Sequence, residues 1–129
     1  MSDIIFKDPK NWLLELLYNA DKADYETYRV YKCLSRYIDD NRDFIGITEE
    51  VISGTLRFKP LTDLADDCLF SVTFFSKYIK KRQCRFGSPG VTYYSNTGKH
   101  AYAQTGYPAV ANHWSFWVKY VNKHIQLDK

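Results

Sequence analysis

Residues 61–82 read LTDLADDCLFSVTFFSKYIKKR, and this stretch decides the fold that the sequence predicts. Apolar residues recur at helical spacing on both sides of Leu69 and Phe70, which indicates two short helices that meet at those residues. Ala65 is small enough for a second helix to cross closely, and Ser71 is a suitable N-cap for that helix. The stretch therefore predicts a helix, a turn and a second, strongly basic helix.

The residues that follow have the composition of a β-hairpin. The sequence GSPG at 87–90 indicates a turn. VTYY at 91–94 is rich in strand-forming residues, NTGK at 96–99 is typical of a tight turn, and HAYA at 100–103 supplies a returning strand. We therefore predict a hairpin over about 91–103.

Other segments on both sides are predicted from their apolar periodicity. Helical stripes indicate a first helix over about 9–20 and a second over about 25–39. A short strand is expected at 44–47, followed by a short helix that begins at Thr48. The chain ends in an amphipathic helix over about 110–125, which packs its apolar stripe on the domain.

The central stretch resembles a helix-turn-helix. In that pattern a Leu-Ala pair is followed, six residues after the Ala, by a capping Ser or Thr and then by apolar positions, here Ala65, Ser71, Phe75 and Tyr78. Together with the hairpin, the order of elements resembles the winged helix-turn-helix DNA-binding domain over about residues 25–105. The resemblance implies a mainly α fold with a small β-hairpin and with added N- and C-terminal helices. It further implies that the second helix enters the major groove and that the hairpin is the wing.

The resemblance places the candidate nucleic-acid-binding residues on the second helix, directly after it and on the hairpin. Hydroxyls and lysines on the helix would read base edges, and the cations that follow would bind phosphate. The candidates are Thr73 and Ser76 at the bases, Lys77 and Lys80 at the bases or the phosphates, Lys81, Arg82 and Arg85 at the phosphates, and Lys99 at the wing. Six cationic contacts would give a log–log salt slope of roughly −5.

Tyrosines flank Lys99, and two interpretations of them stay open. Aromatic residues interleaved with basic ones bind single-stranded nucleic acid by stacking. Alternate positions of a strand can equally bury tyrosine in the core. The tyrosines concerned are Tyr93, Tyr94, Tyr102 and Tyr107, of which Tyr93 and Tyr94 are the candidate binding residues.

The charge distribution favours a polyanionic partner. The chain of 129 residues has a net charge of +3, but residues 1–70 carry nine Lys or Arg against fourteen Asp or Glu. Residues 71–129 carry nine Lys or Arg against one acid, Asp128, a net charge of +8. Such asymmetry is typical of nucleic-acid binding, although it also suits an acidic protein partner or head-to-tail self-association.

The sequence offers little support for catalysis or metal binding. Its three cysteines form no CxxC pair, its three histidines lack zinc-site spacing, and no GxSxG, HExxH or phosphate-loop motif occurs. We predict a protein that is not an enzyme, with no catalytic residue, metal or cofactor. The residual alternative is a nucleophile pair formed by Cys84 with His100 or His113.

Composition also limits the location and the partners. At 129 residues the chain predicts a single domain over 1–129, and no apolar run approaches the ~18 residues of a membrane span. The N-terminal MSDIIFKDPKN is not a signal peptide, so we expect a cytoplasmic protein that binds no membrane. The expected partner is duplex DNA, bound by a small regulator or replication accessory that is able to form a homodimer through its terminal helices. The alternative is an inhibitor, antitoxin or immunity-type module that docks its basic, aromatic face on an acidic protein.

Overall fold

The computed structural model describes residues 11–37 and 60–125, and seven helices lie within these two ranges. In chain order they are α1 (Asn11–Tyr18), α2 (Asp24–Tyr37), α3 (Leu61–Phe74), α4 (Ser76–Phe86), α5 (Val91–Gln104), α6 (Pro108–Asn112) and α7 (Trp114–His124).

Helix α3 is the centre of the molecule, and it contacts α2, α4, α5 and α7. Every residue from Ala65 to Phe75 is buried, so α3 is covered nearly all round, as expected of a core helix. The largest fully buried side chains among the described residues include Phe70 on α3 itself, Tyr102 on α5 and Trp117 on α7. Burial of this apolar surface is the main term that stabilises the fold.

Helix α5 packs along α3 at a close approach that glycine permits. A Cβ atom at Gly98 would lie 2.8 Å from Cys68 Cβ and would overlap the ring of Trp114. The buried residues of α5 are Tyr94, Gly98, Ala101 and Tyr102. Their spacing of four, three and one is that of one helical face.

The predicted hairpin over 91–103 is wrong, because these residues belong to α5. No strand occurs in residues 11–37 or 60–125. Packing of one face of α5 against α3 outweighs the strand preference of VTYY and the turn preference of NTGK, which are weak local terms. Without a wing, the winged helix-turn-helix fold class is also wrong; the described part of the chain is a helical bundle.

The predicted turn at Leu69 and Phe70 is wrong as well. Helix α3 continues through both residues to Phe74, and Ser71 is buried inside it instead of capping a new helix. The helical path breaks at Phe75 (φ −122°, ψ 25°), after which α4 begins. Leu69 and Phe70 are buried on a continuous helix because apolar packing on several sides stabilises it.

The flanking helices follow the sequence prediction where they are described. Helices α1 and α2 occupy most of the predicted 9–20 and 25–39 segments. The predicted helix over 110–125 is present as α6 and α7, separated at His113. The predicted strand at 44–47 and the helix from Thr48 lie outside the described residues. Among the described residues, no helix has the length and apolar character needed to cross a membrane.

Candidate nucleic-acid interface

Helix α4 presents a row of cations to solvent. Lys77, Lys80, Lys81 and Arg85 are all exposed, and we call these four residues the α4 cation stripe. At 3.6 residues per turn they fall within an arc of about 140°. The centre of that arc is opposite Ile79, the one buried residue of α4. Ile79, with the partly buried Tyr78 beside it, packs on the core, and the stripe therefore faces outward.

Local structure holds α4 in this orientation at both ends. At its start, the N–H of Phe75 donates to Ser71 O at 2.8 Å, and the N–H of Ile79 donates to Phe75 O at 2.9 Å. At its end, Gly87 adopts φ +68° and its N–H donates to Gln83 O at 3.0 Å. Glycine is suited to this left-handed position, so the helix ends there. The stripe thus lies on a short helix with fixed ends.

The positive charge of the stripe is not compensated nearby in the sequence or by the described ion pairs. No Asp or Glu occurs between Ser71 and Leu127. The described ion pairs join Arg29, Arg36 or His113 to acids, and none of them uses a residue of the stripe. Four like charges on one helix face create a local positive potential that attracts anions.

Beside the stripe, Arg82 lies between two aromatic rings. Its guanidinium carbon is 5.8 Å from the ring centroids of both Tyr78 and Phe86. Phe86 is 66% exposed, the largest value among the large hydrophobic residues in the described ranges 11–37 and 60–125. These side chains line a broad surface depression of about 780 Å³ together with Lys80 and other residues of α4. The basic surface therefore has an aromatic edge.

Six of the ten predicted binding residues lie on α4, five of them cations that lie together, and the other four lie elsewhere. Those brought together are Lys77, Lys80, Lys81, Arg82 and Arg85. Thr73 and Tyr94 are buried at 2% and 1% exposure, so neither side chain is accessible to a nucleic acid in this structure. The Ser76 hydroxyl is half-buried and donates to Val72 O, which occupies its donor. Tyr93 and Lys99 lie on α5.

A buried charge cluster around Asp66 is the main polar feature that sequence reasoning missed. Arg29 Nη2 donates to Asp66 Oδ2 at 2.7 Å, Arg36 Nη1 donates to the same oxygen at 3.2 Å, and Tyr102 OH donates to Oδ1 at 2.6 Å. Burial raises the pKa of Asp66, while these hydrogen bonds and charges lower it. The one sequence signal was a pair of acids, Asp66 and Asp67, inside an apolar run.

A second buried acid, Glu26, joins α2 to the C-terminal helices. His113 Nδ1 and Trp117 Nε1 both donate to Glu26 Oε2, each at 2.7 Å. Glu26 is buried at 1% exposure, so its carboxylate holds two helices in place and does not face a substrate. The carboxylates of Asp66 and Glu26 are thus both hydrogen-bonded within the protein, as stable buried charges require.

The described residues contain no group of three or more metal-binding side chains. All three cysteines are free; Cys33 and Cys68 are buried, and Cys84 is exposed. Cys84 lies near the centre of the arc that the α4 cation stripe occupies.

Comparison of the chain with protein-family models, with curated proteins and with solved structures found no match. The chemistry of the α4 surface is therefore the basis of the functional assignment.

Proposed function

We propose that the protein binds the phosphate backbone of nucleic acid, duplex DNA in preference, through the α4 cation stripe. The observation that supports this is the arrangement of Lys77, Lys80, Lys81 and Arg85 on one exposed face, with no carboxylate from Ser71 to Leu127. Binding of cations to phosphate releases condensed counterions, and this release supplies most of the affinity of sequence-independent binding.

The shape of α4 suits a duplex. From Lys77 to Arg85 the stripe extends about 12 Å along the helix axis, since each residue rises 1.5 Å. The major groove of B-DNA, about 12 Å wide, admits one α-helix. A helix with one buried residue and a cationic outer face can enter that groove or lie across its phosphate rim.

Sequence-specific readout has little support on this surface. The hydroxyls expected to read bases, those of Thr73 and Ser76, are buried or hydrogen-bonded within the protein. Phosphate contacts set position on the duplex and do not distinguish sequences. We therefore propose an accessory protein that binds the phosphate backbone of DNA, in place of a regulator that reads the base sequence.

A salt series tests this proposal. The measurement is fluorescence anisotropy of a labelled random duplex and of the matching single strand. Four phosphate contacts predict a log–log salt slope of about −3.6 for the duplex. Lys77→Glu combined with Lys80→Glu should weaken duplex binding by at least about tenfold at low salt. Absence of duplex binding at low salt would refute the proposal.

The matched control reverses two lysines on another helix. Lys119 and Lys123 are both exposed on α7, so Lys119→Glu combined with Lys123→Glu changes the net charge by the same amount. This variant should keep most of the wild-type affinity. Equal loss in both variants would show that only the total charge matters and that α4 is not the interface.

A second candidate function is suggested by the exposed Phe86. An apolar ring beside Arg82 and the stripe is typical of a protein-binding surface, where aromatic residues and arginine contribute most of the affinity. On this hypothesis the partner is an acidic protein. It predicts that Phe86→Ala abolishes a complex recovered from the native host, while duplex binding is absent even at low salt.

A further inference from the structure

A small groove lies on a different part of the molecule, between α2 and the loop that precedes α6. It is lined by Tyr25, Tyr28, Arg29, Lys32 and Tyr107, and we call it the Tyr25 groove. Its volume of about 270 Å³ is close to the lower limit of ~300 Å³ for small-ligand pockets. None of these residues belongs to the α4 cation stripe.

The groove offers aromatic faces to solvent. The rings of Tyr25 and Tyr107 stack with their centroids 6.0 Å apart and their planes 25° apart. Tyr25 and Tyr28 are nonetheless each 49% exposed, so both have ring surface that the protein does not cover. Exposed tyrosine rings of this kind stack on planar aromatic ligands, and nucleobases are the most general example.

The same face of α2 becomes cationic toward its C-terminal end. Tyr25, Tyr28 and Lys32 are separated by three and four residues, so they lie along one side of the helix. Lys32 Nζ is 5.9 Å from the ring centroid of Tyr28. Lys32 is exposed and takes part in none of the described ion pairs. It is therefore available to an anionic group beside the tyrosines.

Arg29 has a different role, because its charge is already neutralised. Its Nη2 donates to Asp66 at 2.7 Å, and its guanidinium carbon lies 5.5 Å from the ring centroid of Tyr107. Arg29 thus fixes one wall of the groove against the buried Asp66. This is a positioning role, because Arg29 contacts the ring of Tyr107 and is itself held by Asp66.

We propose that the Tyr25 groove binds an unpaired nucleobase with its attached phosphate, the base on Tyr25 and Tyr28 and the phosphate at Lys32. The nearest acid along α2, Glu26, is buried and hydrogen-bonded to His113 and Trp117. The exposed Asp24 is eight residues from Lys32, about 12 Å along the axis. The phosphate therefore lies at the end of the groove away from that carboxylate. This site does not depend on the function proposed for α4.

The test is an NMR titration with adenosine monophosphate. The protein used carries Lys77→Gln, Lys80→Gln, Lys81→Gln and Arg85→Gln, so that failure of the α4 proposal cannot affect the result. We expect saturable shifts at the backbone amides of Tyr25, Tyr28 and Tyr107, with a Kd on the order of 1 mM. Absence of shifts at these amides up to about 10 mM ligand would overturn the proposal.

Variants separate stacking from general surface effects. Tyr25→Ala and Tyr28→Ala should each weaken binding by at least about fivefold. Tyr93→Ala is the matched control, because Tyr93 is 50% exposed but lies on α5 outside the groove, and it should leave the Kd unchanged. A Kd that is the same in Tyr25→Ala, Tyr28→Ala and Tyr93→Ala would exclude stacking in the groove.

Two further ligands define what is recognised. Adenosine, which lacks the phosphate, should bind more weakly than the monophosphate, and Lys32→Gln should remove that difference. Equal affinity for the two ligands in the wild-type chain would contradict the phosphate assignment. Competition by a short single-stranded oligonucleotide that displaces the monophosphate would support the proposal with a strand as the source of the base. Saturation by the monophosphate without displacement would support it with the free nucleotide as the source.

Discussion

At the scale of single residues, the carboxyl groups of two neighbouring acids on α3 have different surroundings. Asp66 is fully buried, but two arginines and Tyr102 hydrogen-bond its carboxylate. Burial raises the pKa of Asp67 to about 6, although the charge of Arg36 lowers it. Asp67 is 4% exposed, so its charged form is destabilised by lost hydration. Asp67 thus makes folding dependent on pH.

The replacement of Asp67 by asparagine tests that dependence. Because the pKa of Asp67 in the folded state lies above its ordinary 3.8, folding favours the protonated form. The contribution of protonated Asp67 to the free energy of unfolding is complete below pH 3.8 and is lost as the pH rises through about 6. At neutral pH the ionised carboxyl costs up to about 3 kcal/mol, so Asp67→Asn should be more stable there by a comparable amount.

Chemical denaturation at several pH values measures this effect. Between about pH 4 and pH 6 the free energy of unfolding should change less with pH in Asp67→Asn than in the wild type. Asp63→Asn is the control, because its carboxylate is 43% exposed and lies on the same helix. An unchanged pH profile in Asp67→Asn would show that Asp67 is not the group responsible.

At the scale of elements, the contact between α5 and α3 decides the secondary structure of residues 91–104. Gly98 permits the approach, since a Cβ there would overlap Trp114 and crowd Cys68. The same NTG sequence in a hairpin would instead place the glycine in a turn. Gly98 therefore distinguishes a packed helix from the hairpin that local composition favours.

Gly98→Ala should destabilise the protein. Overpacking of a tight core typically costs 1–3 kcal/mol, whereas alanine in a helix gains at most about 1 kcal/mol over glycine. We expect a net loss of about 1 kcal/mol or more in thermal or denaturant unfolding. Asn96→Ala, at an exposed position of the same helix, is the control and should be neutral or slightly stabilising. A Gly98→Ala variant as stable as Asn96→Ala would contradict the close packing.

The sequence predicted those elements whose apolar periodicity was unambiguous. Helices α1, α2 and α7 follow clear stripes such as Val30 and Leu34, which are both buried. The prediction for residues 91–104 was wrong because β-branched and aromatic residues dominated the local signal. Gly98 hid a helical stripe whose other members are Tyr94, Ala101 and Tyr102. In a sequence, glycine usually indicates a turn. In a folded protein it can also permit a close contact between helices, and only the tertiary structure distinguishes the two roles.

The candidate site was predictable only in part for a related reason. Cations on an exposed helix are readable from charge and spacing alone, and Lys77, Lys80 and Lys81 lie where expected. Thr73 was assigned to the surface because the second helix was expected to begin at Ser71. In the structure α4 begins only at Ser76. Thr73 therefore belongs to the last turn of α3, where it is buried. The Tyr25 groove joins residues more than eighty positions apart, which no local pattern could bring together.

At the scale of the whole molecule, acidic and basic residues serve different ends. Three acids from the first half, Glu26, Asp63 and Asp66, pair with basic side chains, and two of these acids are buried. The second half, which has no acid between Ser71 and Leu127, supplies α4, and the α4 cation stripe remains exposed. The net charge of +3 therefore understates the positive potential at α4. The proposed DNA binding therefore uses positive charge that the described ion pairs of the folded protein do not neutralise.

The most direct test of nucleic-acid binding by α4 compares the rate of alkylation of Cys84 with and without duplex DNA. Cys84 is exposed within the arc of the α4 cation stripe, and Cys33 and Cys68 are buried, so a neutral reagent such as iodoacetamide reports on α4 alone. We predict that saturating duplex slows the alkylation of Cys84, and that Lys77→Glu with Lys80→Glu abolishes the protection. Alkylation of Cys84 at the same rate with and without duplex at low salt would contradict the claim that α4 binds nucleic acid.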